Sequence, residues 1–117
     1  ISTPNALHEE WLEKALLAGK HVLCEKPLVT SSNKLESFIN LALEKNVLLM
    51  EAMHYQYHPA LKDFFRLLEQ APLGSLQEVS VFLRYYRPTA AHDIRLSREL
   101  KGGTLMHLGC YFLDALT

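Results

Sequence analysis

The chain reads as an α/β protein, the second half of a doubly wound parallel sheet. Helical and aliphatic stretches alternate, the connections between them are short, and the second aliphatic stretch, Val47 to Ala52, runs uninterrupted, as suits a strand covered on both faces. From Asn5, the residues Leu7, Trp11, Leu12, Ala15 and Leu16 recur at helical spacing, with Glu9 and Glu10 in the first turn and Gly19 as a stop. Lys20 to Leu23 forms a short apolar strand that must end at Glu25-Lys26-Pro27, because proline cannot extend a ladder. A second helix follows Ser31-Ser32. Asn33 and Glu36 are spaced as a capping box, Leu35, Phe38, Ile39, Ala42 and Leu43 form its face, and Asn46 can close it.

A third helix opens at Pro59, a residue suited to the first helical position, and carries Leu61, Phe64, Phe65 and Leu68 before Pro72 and Gly74 break it. The period then changes from helical to alternating. Val79, Val81, Leu83 and Tyr85 face one way and Ser80, Phe82, Arg84 and Tyr86 the other, as on a half-buried strand, and a second domain begins. After an aperiodic stretch from Arg87 to Lys101, Gly102-Gly103 lead into a last helical stripe of Leu105, Leu108, Phe112 and Leu116.

With 117 residues, 49% hydrophobic and 21% charged, the chain has the balance of a globular protein with one modest core. A net charge of -1 with interspersed signs gives no basic stripe for nucleic acid and no polybasic patch for a membrane. The apolar runs fall far short of the ~20 residues a bilayer span needs. Cys24 and Cys110 sit in apolar stretches without disulfide-scaffold spacing, which points to reduced packing thiols and a cytoplasmic protein. The chain starts at Ile1 and stops within a helical pattern, as an internal piece of a longer protein does.

In open α/β sheets, ligands bind beyond the carboxyl ends of strands, so Glu25 and Lys26, delivered there by an apolar strand, form a candidate site, the plain alternative being a solvated turn. His107, Tyr111 and Asp114, four and three residues apart, share the helix face opposite the leucines. A lysine ammonium near a tyrosine favours the phenolate and lowers its pKa, which makes a proton-transfer pair; the alternative is a face packed on a polar neighbour. His54 and His58 have the four-residue spacing of a helical metal site, but Pro59 disfavours a helix at His58 and no third ligand is near, so no metal is expected. No glycine-rich dinucleotide fingerprint occurs in the chain.

Ser2-Thr3-Pro4-Asn5 with His8, and then Ala18-Gly19-Lys20-His21-Val22-Leu23-Cys24-Glu25-Lys26-Pro27-Leu28, resemble the hallmark of the Gfo/Idh/MocA oxidoreductases. The likeness continues through Glu51-Ala52-Met53-His54-Tyr55, Tyr57-His58-Pro59, Leu73-Gly74, Asp93-Ile94-Arg95 and Gly102-Gly103-Thr104-Leu105-Met106. It implies the second half of a Rossmann domain over residues 1–53 and, over 54–117, the start of an open-sheet α/β domain for substrate binding and oligomerisation. NAD or NADP is the implied cofactor and a sugar or cyclic diol the implied substrate. The whole protein is then expected to be a homo-oligomer, dimer or tetramer.

By the same resemblance, Thr3, Pro4, Asn5, His8, Glu25 and Lys26 bind the cofactor, and Lys26, Arg95, His107 and Tyr111 meet the substrate. Lys26, His107 and Tyr111 form the catalytic set. The family's usual Asp is replaced by His107, and Tyr111 four residues on holds the acid/base position, as in the branch of glucose-fructose oxidoreductase, xylose dehydrogenase and dimeric dihydrodiol dehydrogenase. Two rival readings follow, an inactive binding or regulatory homologue of the same fold and a small stand-alone interaction domain. The latter conflicts with the open edge and uncovered aliphatic strands that half a sheet leaves.

Overall fold

A computed structural model of the chain describes residues 1–70, 72, 74–82 and 93–116. By their contacts the described residues form two compact units, 1–52 with 93–116, and 53–82. In the first unit, α1 (Asn5–Leu17), β1 (Val22–Cys24), α2 (Ser32–Glu44) and β2 (Leu49–Glu51) follow in the alternating order the sequence predicts. The strands pair in parallel with Val22 opposite Leu49 and Cys24 opposite Glu51. On the other side of β1, Ile1 runs alongside, its carbonyl accepting from Glu25 N–H at 2.9 Å. The segments after Ile1 and after Cys24 therefore leave the sheet side by side at its carboxyl edge.

The core packs Val22 and Cys24 of β1 against Leu12 and Leu16 of α1 and Phe38 and Ala42 of α2, with Leu28 beside them. Leu12, Leu16 and Cys24 are fully buried, and each buried leucine contributes on the order of 1.5–3 kcal/mol. Only one face of the sheet is covered. Leu23 and Met50 point away from the helices and are 57% and 44% exposed, so the two-sided burial expected of these strands is met on one side alone among the described residues.

The helix ends follow simple rules. Gly19 closes α1 at φ 66° and Asn46 closes α2 at φ 53°, left-handed positions that these two residue types tolerate best. At the start of α2 the structure departs from the sequence reading, since Ser31 is the N-cap, makes no side-chain cap bond, and no Asn33–Glu36 capping box forms. The α1 face is also rotated from the one expected. Leu7 and Trp11 are 37% and 45% exposed, and the buried stripe is His8, Leu12 and Leu16, at intervals of four.

In the second unit a 3-10 helix, His54–Tyr57, precedes α3 (Pro59–Gln70). His58 is extended and its Nδ1 accepts from Ala60 N–H at 3.2 Å, a capping role that replaces the metal geometry its spacing mimics. Phe64, Phe65 and Leu68 of α3 are 52%, 41% and 40% exposed. Residues 74–82 hold no strand, because a strand needs a ladder partner and none is present among the described residues; the remainder of the alternating segment, 83–86, lies outside them.

Candidate active site

Two loops at the carboxyl edge of the sheet make one wall of the site. Thr3, Pro4 and Asn5 lead into α1, and Glu25 and Lys26 follow β1. The other wall is the 93–103 segment, which closes on itself through Gly103 N–H to Arg95 O at 2.6 Å and Gly102 N–H to Ser97 O at 2.8 Å. Gly102 is required there, since a Cβ would come within 2.5 Å of Arg95 O. The segment docks on the start of α1, where Ala6 N–H donates to Leu100 O at 3.2 Å and Asn5 Nδ2 to Lys101 O at 2.9 Å. Lys101 Nζ reaches Thr30 Oγ1 at 2.5 Å, and Thr30 is held in turn by Glu9.

Between the walls lies a cavity of about 190 Å³, lined by Thr3, Pro4, Asn5, Glu25, Lys26, Arg95 and His107 together with Ile94 and Leu100. That volume suits one ring-sized group rather than a whole dinucleotide, since pockets for complete ligands run to roughly 300–1,000 Å³. The structure thus brings together residues that stand up to 104 positions apart in the chain. Arg95 is held in a fork by Asp93, with Nε to Oδ1 at 2.7 Å and Nη2 to Oδ2 at 3.0 Å, which balances its charge within the wall.

Lys26 is nearly buried and sits where the pieces meet. Its ammonium donates to the main-chain oxygen of His107, lies 3.4 Å from His107 Nδ1, and stands over the Tyr111 ring at 4.6 Å from the centroid. An ammonium only donates, so the Nδ1 contact calls for a lone pair on that nitrogen. His107 belongs to a π-helix, Leu105–Gly109, which runs into α4 (Cys110–Asp114). π-Helical turns are uncommon and gather at functional sites. His107 and Tyr111 turn toward Lys26, while Leu105, Leu113 and Leu116 are 72%, 64% and 57% exposed.

The pairing of Lys26 with Tyr111 differs from the expected one in its geometry and its effect. The ammonium addresses the ring face, and the Tyr111 phenol is pushed above its ordinary value of 10.0 by burial, with Cys110 and Glu25 acting in the same direction. Burial favours the neutral phenol, so Tyr111 holds its proton more firmly instead of releasing it. Burial likewise raises the Cys110 thiol, against the pull of Lys26, and raises Cys24 to about 11.

His8 does not line the cavity. It is fully buried behind the wall, with Nδ1 2.8 Å from Pro27 O and Nε2 2.9 Å from Thr3 O. Glu51, which sequence reasoning passed over, accepts from Leu28 N–H at 2.7 Å. Its signal was available, as an acid ending an aliphatic strand, the same signature that marked Glu25. Among the described residues no group of three His, Cys, Asp or Glu could hold a metal ion, and no helix is long and apolar enough to cross a membrane.

Comparison with known proteins gives this geometry its context. Residues 1–53 match the model of an oxidoreductase family with an NAD-binding Rossmann fold. The chain is 36% identical over 115 residues to a D-xylose 1-dehydrogenase (NADP(+)) of Haloferax volcanii, covering 98% of this chain and 35% of that protein. It is 33% identical over 119 residues to trans-1,2-dihydrobenzene-1,2-diol dehydrogenase of Xenopus laevis, covering 100% of this chain and 35% of that protein. A 3-ketoreductase from Actinomadura kijaniata, solved with NADP and TDP-benzene, superposes with a TM-score of 0.80 at 32% identity over 96% of this chain and 34% of its own. The chain is similar to the Gfo/Idh/MocA oxidoreductases, whose family model it matches over residues 1–53. It spans about a third of the length of the curated relatives it matches.

Proposed function

We propose that the protein at its natural length is an NAD- or NADP-dependent oxidoreductase that interconverts a carbinol and a carbonyl on a sugar or cyclic diol. The observation that carries this reading is the convergence of Lys26, His107 and Tyr111 beside a cavity that Thr3, Pro4, Asn5 and Glu25 also line. The residues present fit a nicotinamide cofactor. Thr3 Oγ1 is buried with no hydrogen-bond partner among the described residues, and a buried polar atom left in that state on a cavity wall suits a ligand that brings the missing partner. Thr3, Pro4, Asn5 and Glu25 are the residues that hold the cofactor, and His8 supports them from behind. Two of the three relatives described above carry NADP in their printed descriptions, which favours NADP.

The bound nicotinamide supplies or accepts the hydride. In the reducing direction, Tyr111 donates its phenolic proton to the substrate oxygen as negative charge grows there, and a phenol kept protonated by burial is suited to that task. Lys26 places a fixed positive charge beside that oxygen. In the oxidising direction Tyr111 takes the hydroxyl proton back. His107 and Arg95 orient the substrate, and the Asp93 fork leaves Arg95 with N–H groups on its far side while balancing its charge, which favours an uncharged polyol over an anionic one.

In the complete protein, residues 1–53 close a dinucleotide-binding domain and 54–117 open a substrate and oligomer domain, so that a cytoplasmic homo-oligomer is the expected form. The relatives are named for catalysed reactions, which leaves the inactive-homologue reading unsupported. Tyr111→Phe, made in the protein at its natural length, is expected to lower turnover by about 10²- to 10⁴-fold, the usual worth of a positioned acid/base. Nicotinamide absorbance followed over pentoses, hexoses and dihydrodiols measures it. Near-normal turnover in the variant removes Tyr111 from the mechanism.

A further inference from the structure

We propose that His8 and Glu51 are positioning residues that clamp one peptide, the unit joining Pro27 to Leu28, and thereby fix Lys26 at the cavity. The two polar ends of that peptide are held by side chains from different elements. Its carbonyl, Pro27 O, accepts from His8 Nδ1 of α1 at 2.8 Å. Its N–H, on Leu28, donates to Glu51 Oε1 of β2 at 2.7 Å. A peptide is planar, so two bonds in opposite directions fix its rotation and with it the backbone that leads back to Lys26. The imidazole does a second job, since Nε2 lies 2.9 Å from Thr3 O and the one rigid ring spans the Thr3 loop and the Lys26 loop.

The placement of His8 argues for a role beyond filling space. It occupies the first position of the buried stripe that continues as Leu12 and Leu16, and all three are 0% exposed. A histidine ring in that place carries a desolvation cost that a leucine would not, and its two bonds to main-chain carbonyls offset it. Both carbonyls belong to the two loops that make one wall of the cavity, so what the ring determines is the spacing of those loops. Glu51 ends its strand directly opposite Cys24, one residue before Glu25, and so reaches across to the loop from the neighbouring strand.

This inference rests on the reading of Lys26 as an active-site group, and the test separates the two. In the protein at its natural length, acetylation of Lys26 by acetic anhydride is followed by peptide mass spectrometry, with amide exchange at Leu12 and Leu16 as the measure of general loosening. Glu51→Ala and His8→Gln are each expected to raise Lys26 labelling about tenfold, the consequence of losing one buried hydrogen bond, with α1 exchange unchanged. Glu51→Gln keeps an acceptor and is expected to stay within about twofold of wild type. Because Glu51 is only partly buried, its alanine variant remains informative should the His8 variant fail to fold. Unchanged labelling in folded Glu51→Ala overturns the clamp, as does a rise matched by faster exchange throughout α1. Raised labelling in a protein whose Lys26→Met form keeps full turnover upholds the clamp and removes the active-site reading of Lys26.

Discussion

Replacing Lys26 by methionine separates a functional ammonium from a structural one, because the structure assigns the two cases opposite effects. Methionine keeps most of the length and apolar bulk of the side chain and removes the charge. The substitution removes a charge-assisted bond to His107 O, on the order of 1.5–3 kcal/mol, and the placement over the Tyr111 ring, about 0.5–2 kcal/mol. Against them stands the cost of holding the ammonium of a residue that is only 9% exposed largely out of water, which amounts to several kcal/mol. The two sides nearly cancel, so Lys26→Met is expected to alter unfolding free energy by no more than about 1–2 kcal/mol, in either direction. Turnover, by contrast, is expected to fall by at least about 10²-fold if, as proposed, Lys26 supplies the positive charge beside the reacting oxygen. Denaturant titration and steady-state nicotinamide absorbance on the same preparation read both quantities. A variant destabilised by more than about 4 kcal/mol, or one that turns over normally, refutes the assignment of Lys26 as a group held at a stability cost for chemistry.

Three further outcomes follow from the same structure. Leu16 is 0% exposed at the centre of the core, so Leu16→Ala is expected to cost about 3–5 kcal/mol, readable as a shift of the denaturant midpoint. The Cys24 thiol, raised by burial from 9.0 to about 11, keeps its proton in the folded state after the unfolded thiol has lost it. Its contribution is therefore intact below about pH 9 and lost as pH climbs to about 11, on the order of 2–3 kcal/mol, and a Cys24→Ala control titrated alongside lacks that component. Burial lifts the Glu9 carboxyl, but the hydroxyl and N–H of Thr30, with Lys101 and Lys34, outweigh it and hold the group below its ordinary 4.5. A depressed carboxylate stabilises above its unfolded pKa, so Glu9→Gln is expected to cost about 1 kcal/mol at neutral pH, with the gap to wild type closing as pH falls through the folded pKa, measured by thermal melts across that range.

The parts of this fold that can be read from sequence are those set by one period and one breaker. Val47 to Ala52 announces a parallel strand, Gly19 and Asn46 announce helix ends, and Glu25-Lys26-Pro27 announces the carboxyl edge, because each depends on the residues themselves. The α1 face escapes such a reading for a physical reason. Counting apolar residues selects Leu7 and Trp11, whereas the structure buries His8, whose partners are two main-chain carbonyls that no pattern along α1 can reveal. Apolar periodicity scores transfer from water, and a buried polar group that is fully bonded escapes it.

The site is legible in the sequence only in pieces, and the reason lies in how its last piece is built. The spacing of His107 and Tyr111 does predict a shared face, but the face is usable because the backbone there is π-helical and offers His107 O to an ammonium 81 positions away. A π-turn is a change in hydrogen-bond partner, invisible to a helical wheel, and it coincides with the segment whose Leu105, Leu113 and Leu116 face outward. Polar residues turned toward the core unit and leucines turned away invert the usual order of an amphipathic helix. The inversion makes sense if the segment's inner face is specified by the chemistry at Lys26, with packing demands met by the other side. The polar helix face that the spacing singles out is for that reason the one that brings His107 to the cavity.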